Sequence, residues 1–271
     1  MESSPPERLR SWSGIALLFC VLQSGAPAEP IPVRHMEGTV HGFLVLRSTE
    51  GRVLAVGDLF QVVHRDRVTS RLLFRFKDGS VDDETAVFSQ RANFQLITDH
   101  HIQKGPSFPQ PMDLSIDVPR GQITVRSTGK DGKEEVKSEH MDLPPDLANG
   151  LILVIAKNIQ PETAETKVSM VVASPKPRLV KIAISPHGEE SFSLAGSHRK
   201  AMHFVLKIEL GGVAGIVAPL IGKAPPQIQI WIIGGIAPAF VREEGPLYQG
   251  GPIWTIQLTS PVWPDLPRSG F

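Results

Sequence analysis

One cysteine, Cys20, and one tyrosine, Tyr248, are all that 271 residues contain of either type. A lone thiol excludes an intramolecular disulfide framework, and with it the cross-linked scaffolds common among small secreted domains. Surplus charge is lacking too, since 28 Lys and Arg face 28 Asp and Glu for a formal net charge of zero. Proteins that hold nucleic acid or anionic membrane surfaces rely on excess cations, so neither partner is expected. No apolar run reaches the roughly 20 residues a spanning helix needs. Phosphate-binding, dinucleotide-binding and nucleophile-elbow signatures are missing as well. Gly222-Lys223 has neither the upstream glycine nor the following hydroxyl residue of a phosphate loop, and no Gly-x-Ser-x-Gly occurs. No cofactor and no metal site is expected on these grounds.

The N-terminus has its own grammar. Arg8 and Arg10 precede the apolar run Gly14–Leu22, and Ala26-Pro27-Ala28 follows as a small-x-small triplet. This order of charged, apolar and small residues predicts a secretory signal peptide over residues 1–28. Cys20 lies inside the apolar run, so cleavage after Ala28 leaves residues 29–271 without cysteine. An exported chain with no disulfide and no Asn-x-Ser/Thr acceptor fits the bacterial periplasm or medium better than an animal or plant secretome. Residues 29–271 are read as a single domain.

What is abundant is turn punctuation. The 24 glycines and 24 prolines make up roughly 18% of the chain, against about 12% in average usage. Between them lie short Val-, Leu-, Ile- and Phe-rich runs, from Thr39–Leu46 to Ile253–Leu258, about a dozen in all. Such spacing predicts a mainly β fold: a large curved antiparallel sheet, either half-barrel or sandwich-like. One helix is expected near 144–158, where Asp142-Leu-Pro-Pro-Asp146 offers capping groups and Leu147, Leu151, Val154, Ile155 and Asn158 recur at helical spacing. It is apolar on nearly every side and is therefore expected to be buried.

Candidate chemistry is sparse. Nine histidines are scattered without His-x-His or His-Glu-x-x-His spacing, and adjacent His100 and His101 on a strand point to opposite faces. Four carboxylates lie in Asp78-Gly-Ser-Val-Asp-Asp-Glu84 and read as a solvated hairpin turn. The stretch His100–Pro111 combines three prolines with a glycine and suits a loop at a pocket mouth, presenting His101, Lys104, Ser107 and Phe108. In the apolar C-terminal third, Trp231, Phe240 and Trp254 are the candidates for lining a hydrophobic site, and Gly211–Gly222 for closing it.

The predicted signal, the cysteine-free meander and the greasy helix after Asp142-Leu-Pro-Pro-Asp together resemble the β half-barrel of periplasmic lipoprotein-carrier proteins and their uncharacterised secreted bacterial relatives. The phrase Ala237-Pro-Ala-Phe-Val-Arg-Glu-Glu-Gly-Pro-Leu-Tyr-Gln-Gly-Gly-Pro-Ile-Trp254 resembles their closing segment. The resemblance implies a curved sheet wrapped around helix, with a concave apolar face able to hold acyl chains. The expected function is thus a non-catalytic, exported carrier of an apolar or lipid-like ligand. Two alternatives stand beside it: an envelope hydrolase using His101 with Asp82, Asp83 or Glu84, and an envelope assembly partner offering strand edges. The first requires those groups to converge in one cleft.

Overall fold

Alternating apolar and polar residues bury one face of a strand and expose the other, and here that pattern builds a single sheet. A computed structural model describes residues 30–128, 133–173, 176–194, 197–209 and 226–259. The strands are β1 (Val40–Ser48), β2 (Val53–His64), β3 (Arg67–Phe76), β4 (Val81–Gln90), β5 (Phe94–Lys104), β6 (Met112–Asp117), β7 (Gln122–Thr128) and β8 (Glu134–His140). After a short helix, α1 (Ile152–Ala156), come β9 (Thr166–Val172), β10 (Arg178–Leu194), β11 (Ser197–Glu209), β12 (Ile228–Ile233), β13 (Ala239–Gly245) and β14 (Trp254–Thr259). All fourteen belong to one sheet in the order β8-β7-β6-β5-β4-β3-β2-β1-β14-β13-β12-β11-β10-β9. Each pair is antiparallel, and β14 joins the two meanders by pairing with β1.

The mainly β expectation therefore holds, as one curved open sheet rather than two stacked ones. Two details differ from the sequence reading. Strand β8, with the sequence EEVKSEH, carries no apolar alternation and was not expected. As an edge strand it needs none, because charged residues on an edge discourage pairing with another chain. Strand β10 reads as two pieces but is continuous, its register shifting between Pro186 and Glu189 where Gly188 has a φ of 97°. A bulge absorbs the proline that would otherwise end the ladder.

Curvature is evident from what meets across the concave side. Gln103 on β5 donates through Nε2 to the Leu247 carbonyl just after β13, at 2.9 Å. In the sheet those strands are separated by β4, β3, β2, β1 and β14. Inward-facing Leu46, Phe74, Phe88, Ile116, Ile184, Phe204 and Ile230 are all at most 2% exposed and belong to one core. Burial of side chains this size contributes about 1.5–3 kcal/mol each.

The helix is present but shorter than expected: five residues against a window of fifteen, with Val154, Ile155 and Ala156 buried. The reason lies in what residues 146–150 do instead. Asp146, anticipated as a cap, accepts bonds from Ser169 Oγ at 2.8 Å and Lys181 Nζ at 2.7 Å. Asn149 pairs its side-chain amide with both backbone groups of Val171, at 3.0 and 2.9 Å, like one more residue of a strand. Leu147 forms a parallel bridge to Ser169. This stretch therefore covers the β9 edge, and Gly150, at a φ of 66°, turns the chain inward before α1 begins. Beyond α1, Lys157 Nζ lies 2.6 Å from Glu37 Oε2, and Asn158 Oδ1 accepts from the backbone of Arg34 and His35. The segment thus seals the concave side and is latched at both ends.

No helix among the described residues is long and apolar enough to cross a membrane. The expected signal peptide, including Cys20, and the glycine-rich run Gly211–Gly222 lie outside the described residues.

Candidate functional site

Strand alternation decides the fate of the acidic turn. Strand β4 begins at Val81, so Asp82 and Glu84 face the concave side while Asp83 faces out. Outside, Asp83 is held by both Arg71 nitrogens at 2.8 and 2.6 Å, and the Arg71 guanidinium keeps its carboxyl below the usual range. Inside, Glu84 lies opposite His101, Asp82 opposite Gln103 and Ala86 opposite Asp99, all across the β4–β5 ladder. The solvated-turn expectation holds for Asp78 alone, because β4 begins at Val81 and takes in Asp82, Asp83 and Glu84.

His100 and His101 part as expected. His100 meets Asp113 at 3.0 Å on the outer face. His101 turns inward and donates through Nε2 to Asp82 Oδ1 at 2.6 Å, with Nδ1 3.7 Å from Glu84 Oε1. The convergence required of a His101 site is met by Asp82 and Glu84 but not by Asp83.

Two further carboxylates complete the group. Asp99 is 2% exposed, no side chain donates to its oxygens, and the His100 amide is the backbone donor beside it. Glu243 reaches in from β13 and interacts electrostatically with Glu84 and Asp82. Sequence reasoning missed both. Asp99 sits in an otherwise ordinary strand, and Glu243 is remote in the chain; only the curl of the sheet brings it in.

Burial and mutual repulsion dominate the electrostatics. Desolvation first, then Glu84 and Asp82, push the Glu243 carboxyl up to about 7. Desolvation and then the Glu84 charge hold Asp99 well above the ordinary carboxyl range. Glu84 is itself raised by burial, an effect that His101 and the Gly150 amide oppose. Burial alone would lower the His101 imidazole, but Glu84, Asp82 and Asp99 outweigh it and lift it to about 9.

Gly150 forms the roof. A Cβ there would lie 2.6 Å from the Ala86 Cβ and 3.2 Å from Asp99 Oδ1, so only glycine lets the main chain pass this close. Among the described residues, no group of three or more His, Cys, Asp or Glu has the geometry to hold a metal ion.

The seven residues singled out from the sequence are not all together. Phe108, 2% exposed, packs edge-on against Phe76, Tyr248 and Trp254, with ring centroids 5.3, 5.7 and 6.2 Å away. These four rings close one end of the half-barrel. Ser107 sits beside them and donates through Oγ to Asp78 Oδ2 at 2.7 Å. Lys104 is exposed at the end of β5. Phe240 joins the main core with Trp254. Trp231 belongs to the opposite, convex face, because its neighbours Ile230 and Ile232 take the inward positions of β12. There it stacks on His203 with centroids 4.6 Å apart, lies 5.0 Å from the Arg242 guanidinium carbon, and donates through Nε1 to Glu190 at 2.9 Å.

Two open clefts lie at the rim. One of about 530 Å³ is lined by Arg47, Gly51, Arg52, Val53, Leu54, Phe76, Lys77, Asp78 and Ser107. Another of about 410 Å³ is bounded by polar residues around Asp66, Arg67, Arg91 and Asn93.

No protein-family model matches the chain, and no curated protein matches its sequence. Among solved structures it is similar to the hypothetical lipoprotein YmcC from Escherichia coli, with a TM-score of 0.39 and 9% identity over 82% of this chain and 85% of that one. It is similar also to a β-barrel-like protein of unknown function from Brucella abortus, with a TM-score of 0.42 and 8% identity over 82% of this chain and 98% of that one.

Proposed function

We propose that, after removal of residues 1–28, the chain is a periplasmic or secreted, non-catalytic binding protein for an amphipathic, lipid-like ligand, taken up at the rim beside the four aromatic rings. The observation that carries this reading is the 530 Å³ cleft, where Arg47, Arg52 and Lys77 line the cleft with Val53, Leu54 and Phe76, and the one carboxylate, Asp78, is bonded by Ser107. Cations around an apolar floor suit a ligand with an anionic head and a hydrocarbon tail. Ser107 lines the cleft, Phe108 packs behind its Phe76, and Lys104 ends β5 just before that loop. The concave interior itself is filled by side chains and by residues 147–158, so the acyl chain is not drawn into it.

A general-base role for His101 is disfavoured by the state of its ring. Both ring nitrogens are engaged, by Asp82 and Glu84, and an imidazole that loses its proton only near pH 9 is a cation at neutral pH, not a base.

Ten fully buried methylenes supply about 8 kcal/mol before ordering costs, which corresponds to micromolar binding. A cleft open on one side buries fewer of them, and head-group contacts make up part of the difference. A fluorescent fatty acid is therefore expected to bind saturably. The double variant Arg52→Glu and Lys77→Glu is expected to weaken it about tenfold, as loss of two partly exposed ion contacts implies. Native mass spectrometry of protein purified from the envelope fraction checks the same point. A bare polypeptide mass together with no saturable probe binding rejects the reading.

A further inference from the structure

The rim cleft carries more positive charge than a fatty-acid head can use. Arg47 stands near the end of β1, Arg52 in the turn to β2 and Lys77 just after β3, so three separate segments bring cations to the same 530 Å³. Asp78 is the one carboxylate lining it among the described residues, and both of its oxygens are engaged. Oδ1 accepts from the Ser80 amide at 2.9 Å and Oδ2 from the Ser107 hydroxyl at 2.7 Å. Those bonds, the Ser107 one foremost, hold the Asp78 carboxyl below the usual range. Asp78 therefore stays ionised, and the lining keeps a surplus of two positive charges.

The three cations are unequally committed. Arg47 donates through Nη1 to the Gly51 carbonyl at 3.1 Å, which fixes its guanidinium beside the turn. Arg52 has Glu50 as a charged neighbour, but that carboxylate accepts from Thr49 Oγ1 at 2.8 Å and does not line the cleft. No side-chain hydrogen bond ties down Lys77 among the described residues. Beneath the cations lie Val53, Leu54 and Phe76. Behind Phe76 are Phe108 and Trp254, with ring centroids 5.3 and 5.4 Å from it.

A carboxylate head brings one negative charge and two oxygens, which leaves part of this set unanswered. A phosphate monoester brings about −1.5 to −2 charges at pH 7 and three strong acceptor oxygens. Guanidinium groups meet phosphate with paired N–H bonds, and an ammonium meets it as a point charge. A phosphocholine head suits the cleft poorly, because its own ammonium faces like charges.

We propose that the rim cleft selects amphiphiles by a terminal phosphate monoester, held between Arg47, Arg52 and Lys77, with the hydrocarbon tail on Val53, Leu54 and Phe76. This assignment rests on the binding reading and names the head group for it. A pH dependence follows from the ligand itself. The second proton of a phosphate monoester leaves near pH 6, so its full charge is present only above that value. The charged groups facing the head are Arg47, Arg52, Lys77 and Asp78, with Glu50 beside Arg52. Arginine and lysine are cations throughout this range, and Asp78 and Glu50 are both lowered by their hydrogen bonds.

Displacement of a fluorescent fatty acid from the full chain provides the test. Three competitors share a dodecyl tail: monododecyl phosphate, laurate and dodecylphosphocholine, each below its micelle concentration. Inorganic phosphate is the arm without a tail. Monododecyl phosphate is expected to bind about tenfold more tightly than laurate at pH 7.5, as one extra charged contact implies. Its affinity is expected to fall about threefold at pH 5.5, where the head has lost most of its second charge. Lys77→Gln and Arg52→Gln alter exposed side chains, so both are expected to fold. Each is expected to cut the preference for phosphate over laurate to about threefold or less. Arg91→Gln, an equal loss of charge at the other cleft, is expected to leave it unchanged. Saturable laurate binding with no phosphate preference overturns the head-group assignment and leaves the binding reading standing. No displaceable probe binding removes both. Dodecylphosphocholine binding most tightly, or an equal preference in all three variants, also overturns the assignment. Inorganic phosphate competing as well as its dodecyl ester makes free phosphate the ligand and removes the amphiphile.

Discussion

Gly150→Ala is expected to destabilise the protein by about 2–4 kcal/mol. Two costs add. An alanine at a φ of 66° loses about 1 kcal/mol to the left-handed conformation, and its methyl group would lie 2.6 Å from the Ala86 Cβ. Relieving that overlap in a packed interior costs roughly 1–3 kcal/mol. Urea unfolding is expected to show a lower midpoint with an unchanged slope, since the folded surface stays the same. The two terms separate in the double variant Ala86→Gly and Gly150→Ala. It recovers the steric part relative to Ala86→Gly alone and leaves the conformational part. If Gly150→Ala costs as much in the Ala86→Gly background as in the parent protein, the roof does not press on β4.

Stability is expected to fall steadily on going from mildly acidic to alkaline pH, and Glu243→Gln is expected to remove the lower part of that fall. Glu243 has a folded pKa of about 7 against 4.5 in the unfolded chain, so the folded state holds an extra proton between those values. Stability is therefore lost as pH rises from 4.5 to 7 and stays low above it. His101 is raised from 6.5 to about 9, so its contribution is whole below 6.5 and disappears as pH rises through 9. Both act in the same direction. Each shift corresponds to about 3 kcal/mol, but the groups interact, and the measured slope belongs to the set rather than to one residue. On the acid side Asp83, whose pKa is lowered, works the other way and loses its contribution as pH falls. An optimum in mildly acidic solution follows. Urea unfolding at pH 5 and pH 8 checks this: Glu243→Gln should match the parent at pH 5 and exceed it by up to about 3 kcal/mol at pH 8. An equal change at both pH values would mean that the carboxyl does not titrate in the folded state.

The sheet was legible because local rules govern it. Turn residues and apolar runs mark most strands, and alternation alone separates His100 from His101. What escaped depends on contacts between distant parts of the chain. Strand β8 carries no inward apolar set because it is an edge. The helix near 144–158 shrinks because Asp146 and Asn149 commit their side chains to β9 and Lys181, an outcome no helical periodicity reveals. Of the acidic cluster, His101, Asp82 and Glu84 were within reach, since all three lie on the β4–β5 hairpin. Glu243 was not, because its approach depends on how far the sheet curls. Trp231 reads with Phe240 and Trp254 as a large apolar residue of one region, but strand parity puts it on the other face. The alternation along Ile228–Ile233 is what separates them.

The sheet curls far enough to gather Asp82, Glu84, Asp99 and Glu243 around a half-buried His101. The most direct test of this is an NMR titration of the His101 imidazole, assigned by comparison with His101→Gln. The account predicts an imidazole that stays protonated through neutral pH and titrates near 9, with the Glu243 carboxyl near 7. A His101 midpoint close to the ordinary 6.5 would contradict it.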